Sequence, residues 1–247
     1  MAESMVAILQ ARVSSRRLRG KVLEPILGRP MLSRQIERLR RCRNLDRLVV
    51  ATSDQPDDDA LEGLCADEGI SVFRGSLDDV LDRFYQCARE AGAKHVIRLT
   101  GDCPLADPEL VDSLIEFYLM QDVDYASNCR PPTLPDGLDA EVFSFEALAT
   151  AWREAIDPFG REHVVPYVID RPQRFRIANW RWSGDASGMR WTVDEAADLE
   201  FVRQVYQALY PGKPAFGFHD VLDLLERHPE LALINSGFER NEGSQRK

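Results

Sequence analysis

Five basic residues (Arg12, Arg16, Arg17, Arg19 and Lys21) fall within ten positions, directly after the apolar run Met5 to Leu9. Across residues 12–47 there are twelve Lys or Arg and three acids (Glu24, Glu37, Asp46), a local balance of +9 in a chain whose formal net charge is -10. Guanidinium and ammonium groups gathered on a loop suit a polyphosphate, because the first binds phosphate oxygens in a fork and the second acts as a compact charge. Ser14 and Ser15 add hydroxyl and backbone N–H donors. The stretch is not a Walker A loop, since Val22 follows Gly20-Lys21 and Ser15 stands where the first glycine would be. It is not a GxGxxG dinucleotide fingerprint either. A phosphate cradle here has to rest on side-chain cations, with Arg12 and Lys21 the first candidates and Arg16, Arg17 and Arg19 next. Arg34, Arg38, Arg40, Arg41 and Arg43 belong to a helical pattern and read as its solvated face.

Polyphosphate chemistry usually needs a hard divalent cation, and such a cation prefers carboxylates. Asp102, in "RLTGDCP", follows a strand on the same sheet edge as the basic loop. Asp194, in "RWTVDEAADLEF", sits between a predicted strand and a helix. The plainer readings are a turn aspartate for Asp102 and a helix N-cap for Asp194. Asp136, Asp139 and Glu141 lie in a loop after the fifth strand. "REH" supplies Arg161, Glu162 and His163, of which Arg161 or His163 would suit an acidic ligand, although His163 could equally make a structural hydrogen bond. His95, His219 and His228 read as structural, and Trp180, Trp182 and Trp191 as core or a subunit contact.

The elements that would carry these residues alternate. Strands are predicted at 5–9, 47–52, 71–75, 95–100 and 123–128, separated by helices at 30–42, 56–69, 77–92 and 107–120. Asp107 is the N-cap and Pro108 the first residue of the last of these. Continuous Val/Ile/Leu strands separated by helices of this size indicate parallel βαβ units, hence an α/β fold with a Rossmann-like, mostly parallel sheet and helices on both faces. In open sheets of this kind ligands bind at the carboxyl ends of the strands, where the basic loop leaves the first strand. After residue 128 the rhythm breaks. A Pro/Asp/Gly-rich loop at 129–143 leads into a short strand. Helices follow at 144–155, at 160–171 (interrupted by Pro166), at 195–210 and as two short pieces in 218–235, with strands at 175–182 and 189–194. These form a smaller mixed C-terminal extension. The chain reads as one domain over 1–237, with a nucleotide-binding half at about 5–128, an acceptor and oligomerisation half at about 129–237, and a polar tail at 238–247 expected to be disordered.

With 247 residues, 44% hydrophobic and 29% charged, the chain can bury a sizeable core. A pI near 5.0 argues against a general nucleic-acid or anionic-membrane binder. No apolar run approaches the roughly 20 residues of a membrane span. The N-terminal residues lack a signal-peptide pattern, and the five cysteines contain no CxxC pair, so a cytoplasmic protein with reduced thiols is expected.

"ARVSSRRLRGKVLEPILGRPML" (11–32) closely resembles the ARxxSxRLxxK…G.P pattern of cytidylyltransferases in the nucleotide-diphospho-sugar transferase superfamily, through Arg12, Ser15, Arg17, Leu18, Lys21, Gly28 and Pro30. "LTGDCPLADPELVD" (99–112) is similar to the family's metal-binding segment. "WTVDEAADLEFV" (191–202) is similar to its late segment, with Glu195-Ala196 where Thr or Ser followed by Pro is usual. "PDGLDAEVFSFEAL" (135–148), "REHVVPYV" (161–168) and "HDVLDLL…HPELALIN" resemble the spore-coat polysaccharide, SpsF-like subgroup. The resemblance implies a Mg2+-dependent enzyme that joins CMP from CTP to a small acidic acceptor, an acidic sugar or phosphonate, and releases pyrophosphate. It implies catalytic Arg12, Lys21 and Asp102. Nucleotide contacts would come from Leu9, Ala11, Arg12, Ser14, Ser15, Arg17, Lys21, Thr100 and Gly101. Metal ligands would be Asp102 and Asp194, and acceptor contacts Asp139, Glu141, Arg161 and His163. It also implies a homodimer, with neither nucleic acid nor membrane as partner. The rival readings are a glycosyltransferase using a nucleotide sugar, a nucleotidyltransferase using another NTP, and a non-catalytic RNA binder.

Overall fold

Met5, Val6, Ala7, Ile8 and Leu9 are all buried, and the strand they form is the centre of the molecule. The computed structural model describes residues 4–15, 17–238 and 240. It contains strands β1 (Met5–Gln10), β2 (Pro25–Ile26), β3 (Arg29–Pro30), β4 (Arg47–Ser53), β5 (Ser71–Gly75), β6 (His95–Thr100), β7 (Tyr125–Ser127), β8 (Glu141–Ser144) and β9 (Ile177–Asn179). The helices are α1 (Met31–Leu39), α2 (Asp59–Glu68), α3 (Val80–Glu90), α4 (Pro108–Gln121), α5 (Phe145–Glu154), α6 (Pro158–His163), α7 (Pro166–Ile169), α8 (Ala196–Leu209), α9 (Phe218–Arg227) and α10 (Pro229–Ala232).

Seven strands form one sheet in the order β5-β4-β1-β6-β8-β7-β9. The pairs β1/β4, β1/β6, β4/β5 and β7/β9 are parallel, and only β8 runs against its neighbours. Successive side chains of a strand point to opposite faces. Met5, Ala7 and Leu9 accordingly enter one core with α1, α4 and α8, while Val6 and Ile8 enter the other with α3 and α5. Burial of each Val, Ile or Leu side chain contributes about 1.5–3 kcal/mol, and β1 carries no polar residue before Gln10. The chain runs outward from β1 through β4 to β5 and then returns to β6 on the other side of β1. That reversal opens a crevice at the carboxyl ends of β1 and β6.

Local chemistry fixes the helix starts. The Asp107 carboxylate accepts from Glu109 N at 2.8 Å and Leu110 N at 3.4 Å to cap α4, worth about 1 kcal/mol. Asp79 caps α3 through Asp82 N at 2.9 Å.

Several expectations need correction. The short strand expected after the loop at 129–143 forms as β8, and it slots antiparallel between β6 and β7 into the otherwise parallel sheet. Residues 189–194 are not a strand. Only an isolated bridge between Asp136 and Arg190 forms, and the segment is held instead by Trp191 N and Thr192 N donating to Asp136 O at 2.6 and 2.9 Å. The helix expected over 160–171 is two short ones, α6 and α7. Arg34 and Arg38 are not solvated: both are buried, and they donate to backbone carbonyls, Ile26 O at 3.1 Å and Ala106 O at 2.7 Å. Trp191 is core, as expected. All five cysteines are free thiols.

Phe238 and Arg240, counted with the polar tail in the sequence, lie against the body: the Arg190 guanidinium stands 5.7 Å from the Phe238 ring centroid, and Arg240 donates to Leu134 O at 3.0 Å. The rest of that tail (239 and 241–247) and Arg16 lie outside the described residues. Among the described residues no helix is long and apolar enough to cross a membrane.

Candidate active site

The basic loop is folded back over the sheet edge. Asp58, fully buried just before α2, accepts from Val13 N at 2.7 Å and from Ser53 N at 3.1 Å, which ties the loop to the end of β4. Gly20, at φ +75, returns the chain by donating its N–H to Val13 O at 2.9 Å and starts the 3-10 turn Lys21–Leu23. Lys21 thereby points inward. Its ammonium donates to Val193 O at 2.6 Å, Asp194 Oδ1 at 2.8 Å and Asp102 Oδ2 at 3.2 Å. The structure thus brings residues 21, 102 and 194 to one point.

Two backbone features make that meeting possible. Gly101 follows β6, where a Cβ would stand 2.8 Å from the Ala11 Cβ, so only glycine lets the ends of β1 and β6 approach this closely. Asp102 O then accepts from Val193 N at 2.8 Å and docks the late segment onto the early one. Asp194 is not the N-cap of α8. Glu195 holds that position, and Asp198 accepts from both Asp194 N and Glu195 N at 2.9 Å. The Asp194 carboxylate is left for Lys21, for Arg17 at 2.7 Å and for Arg190 at 3.3 Å.

Burial pushes the Asp102 carboxyl up, but the Lys21 ammonium and hydrogen bonds from Thr100, Lys21 and Cys103 outweigh it and hold the group down at about 2. Lys21 is subject to the mirror balance: burial would lower it, and the two aspartates raise it above the ordinary lysine value. The Asp102 carboxylate is therefore ionised at neutral pH. Asp102 and Asp194 present oxygens to the one point that the ammonium occupies, and such a donor set fits a hard divalent cation. Among the described residues no group of three or more His, Cys, Asp or Glu gathers to hold a metal. The remaining positions of such a cation would fall to water and ligand oxygens, as Mg2+ favours.

Beside this point opens a cavity of about 540 Å3. Asp102, Asp194, Arg17 and Thr100 line its inner end. Asp136, Gly137, Asp139 and Glu141 also line it, as do Phe159, His163, Val165, Pro166, Ile169 and Asp170 from α6, α7 and the residues that adjoin them. Gly137, at φ +104, has no space for a side chain, since a Cβ would stand 2.4 Å from Thr192 N. Burial pushes the Asp139 carboxyl up to about 6 against the pull of Arg240, which bonds it. Glu141 is engaged on both oxygens, with Arg98 and with Tyr125 Oη, which donates at 2.5 Å. Burial raises it and Arg98 and Arg130 lower it further, so it stays ionised as their counter-ion. The His163 ring lies 4.3 Å from the Phe159 ring at an interplanar angle of 47°, and burial lowers its pKa, so it offers a neutral imidazole.

A family model for cytidylyltransferases matches residues 6–214. The chain belongs to the cytidylyltransferase family. It is 36% identical to the spore coat polysaccharide biosynthesis protein SpsF of Bacillus subtilis, over 91% of this chain and 95% of that one. It superposes on a cytidylyltransferase from Leptospira borgpetersenii with a TM-score of 0.89 and 28% identity, over 97% and 98% of the two chains. Its fold is also that of a CMP:2-keto-3-deoxy-manno-octonic acid synthetase complexed with CTP, with a TM-score of 0.65 at 19% identity over 83% of this chain and 100% of that one. This cytidylyltransferase is thus a CTP-dependent nucleotidyltransferase.

The residues named from the sequence separate into groups. Arg17, Lys21, Thr100, Asp102 and Asp194 converge at the inner end of the cavity, and Asp139, Glu141 and His163 line its walls. Arg161 does not reach the cavity: it bonds Asp79 and donates to Trp152 O at 2.8 Å, because α6 packs against α3 and α5 on that side. Leu9 is fully buried and Ala11 nearly so, Gly101 serves by its backbone, and Ser14 and Ser15 are half-buried in the loop. Arg12 is half-buried and belongs to a different cluster, where its charge acts on Arg83.

Arg83 was not legible from sequence, where it is one charge on a helix. It is 1% exposed, and its Nε and Nη2, like Gln10 Oε1 and Thr52 Oγ1, find no hydrogen-bond partner among the described residues. Burial first, and then the Arg12 cation, bring its guanidinium down to about 10. Unpaired buried polar atoms at the carboxyl ends of β1, β4 and β5, donors on Arg83 and an acceptor on Gln10, are what a bound ligand would satisfy. Arg98 and Arg130 in the cavity were likewise missed. So was Arg190, the shared partner of Asp136, Asp194 and Asp198.

Proposed function

We propose that this cytidylyltransferase transfers CMP from CTP to an oxygen of an acidic sugar or phosphonate, with Mg2+ required and pyrophosphate released. The observation that carries the reading is Lys21 held between Asp102 and Asp194 at the inner end of the cavity. The triphosphate lies along the basic loop, where Lys21, Arg17 and Arg12 offset its charge, with Arg83 and the unpaired polar atoms around it on the nucleotide side. The acceptor occupies the cavity, with its acidic group toward Arg98 and Arg130. The acceptor oxygen forms a bond to the α-phosphorus, giving up its proton to solvent where it is a hydroxyl; the bond from that phosphorus to the bridging oxygen breaks, and the electron pair leaves with pyrophosphate. The protein's part is alignment of the attacking and leaving oxygens and electrostatic stabilisation by preplaced cations. Bound to Asp102 and Asp194, Mg2+ would supply further neutralisation of phosphate charge. The likeness to a spore-coat polysaccharide protein supports a role in sugar activation.

The test is pyrophosphate release with each of four NTPs against a panel of acidic sugars and phosphonates, in Mg2+ and in EDTA. CTP with one class of acid is expected to react, and EDTA to stop it. Release of a nucleoside diphosphate from a nucleotide sugar would identify a glycosyltransferase instead. Asp102→Ala should abolish turnover with an unchanged circular dichroism spectrum, and normal turnover in that variant would end the proposal.

A further inference from the structure

Lys21 is fully engaged where it stands. An ammonium has three N–H groups, and those of Lys21 donate to Val193 O, Asp194 Oδ1 and Asp102 Oδ2 at 2.6, 2.8 and 3.2 Å. None is left for a phosphate oxygen. The carboxylates are engaged as fully. Besides the two oxygens that face Lys21, Asp102 Oδ1 accepts from Cys103 Sγ at 3.4 Å, and Asp194 Oδ2 lies 2.7 Å from Arg17 and 3.3 Å from Arg190. A divalent cation and the ammonium therefore compete for the same two oxygens. A triphosphate and the two aspartates compete for the same ammonium.

The cations around Asp194 differ in how firmly they are held. Arg190 is buried, its guanidinium donates to both oxygens of Asp198 at 2.9 and 3.0 Å, and Asn235 donates to its carbonyl at 2.9 Å. Its contact with Asp194 is thus anchored from behind. Lys21 and Arg17 instead belong to the loop after β1, and the Arg17 side chain is 37% exposed. A shift of that loop frees both without disturbing Arg190. An ammonium that withdraws from two partly buried carboxylates leaves their charge uncovered, which is strongly unfavourable unless another cation replaces it.

We infer that Lys21 is an exchangeable stand-in for the divalent cation: it closes the site between Asp102 and Asp194 until a triphosphate draws it away, while Arg190 positions Asp194 throughout. The inference rests on the proposed Mg2+-dependent transfer from CTP and adds the regulation of its metal site. Nucleotide and metal enter as a coupled pair, since each removes the obstacle to the other. A metal ion without nucleotide meets a closed site.

Mn2+ binding to the protein without nucleotide, read by electron paramagnetic resonance of the free ion, tests the exchange. Lys21→Met should bind Mn2+ about tenfold more tightly than the wild type, or tighter still. That gain should vanish in the double variant Lys21→Met/Asp102→Asn, which locates it at this site. In urea unfolding, about 10 mM MgCl2 should stabilise Lys21→Met and leave the wild type nearly unchanged. The chain has four lysines, and in 15N spectra of their ammonium groups the signal missing from Lys21→Met is that of Lys21. It should stay in place with Mg2+ alone and move when CTP and Mg2+ are added together. Mn2+ affinity in Lys21→Met no higher than in the wild type would overturn the inference. So would a gain that survives Asp102→Asn, a Lys21 signal that moves with Mg2+ alone, or one that both ligands together leave unmoved. Each of these results leaves CMP transfer standing, because pyrophosphate release reads it separately. No pyrophosphate from any acceptor would overturn the functional reading, and the Mn2+ comparison would still decide the exchange.

Discussion

Lys21→Met removes the one ammonium between Asp102 and Asp194 and keeps the aliphatic stem. The Asp102 carboxyl is held at about 2 in the fold against an ordinary 3.8. That difference, at about 1.4 kcal/mol per pH unit, corresponds to about 2 kcal/mol of stability at neutral pH. Asp194 keeps Arg17 at 2.7 Å and Arg190 at 3.3 Å, so its loss is small. The variant should therefore be about 2 kcal/mol less stable than the wild type at pH 7, below the roughly 3–5 kcal/mol typical when a fully buried pair is broken, because the Asp102 side chain remains 29% exposed. A carboxyl lowered by folding stabilises fully above its unfolded value and loses that contribution as pH falls through its folded value. The gap between the proteins should thus shrink to about half or less by pH 3. Urea unfolding followed by tryptophan fluorescence, in EDTA and without nucleotide, reads both quantities, provided the m-values agree. A gap that stays constant between pH 7 and pH 3, or a variant as stable as the wild type at pH 7, would refute the account of Lys21 as the counter-ion of a buried carboxylate.

Asp139 titrates with the opposite sign. Its folded value is raised to about 6 by burial, so Asp139→Asn should gain stability relative to the wild type as pH rises from 4 to 6 and show no further gain above it, measured by the same unfolding experiment. At Val164, whose φ is 71, the usual order of small residues should invert. Glycine and alanine both lose the buried isopropyl group, but only alanine keeps the penalty of positive φ, so Val164→Gly should melt above Val164→Ala by about 1 kcal/mol equivalent; the reverse order in calorimetry would remove the case for strain. Asp58→Ala leaves Val13 N and Ser53 N without acceptors. It should cost about 1–3 kcal/mol and raise KM for CTP more than it lowers kcat, because it frees the loop that carries Arg12, Arg17 and Lys21.

The nucleotide half of the fold and the main actors of the site were legible in the sequence. Strands of unbroken Val, Ile and Leu between capped helices leave few alternatives to a parallel sheet covered on both faces, and the loop after β1 has no local reason to gather cations. Lys21, Asp102 and Asp194 were selected by residue type and by their places at strand ends, and the fold unites them. The C-terminal half was less legible because its elements are short. β8 was expected, but its antiparallel insertion between β6 and β7 depends on which sheet edge is open, and residues 189–194 alternate like a strand while serving as a docked loop.

Charge on a helix was the least legible feature, since sequence reports that an arginine is present and not what covers it. Arg34 and Arg38 looked solvated and are buried under turns. Arg161 looked like a ligand contact and is a clamp, while Arg83, Arg98, Arg130 and Arg190 drew no notice. A long side chain has a stem of several rotatable bonds, and only the packed neighbours decide where its guanidinium stops. The sequence by itself determined which groups were available, the order of the first strands and the sign of the loop's field. The tertiary structure alone decided which carboxylate faces which cation, because residues 21, 102 and 194 share no local backbone and meet only when the crevice between β1 and β6 closes around them.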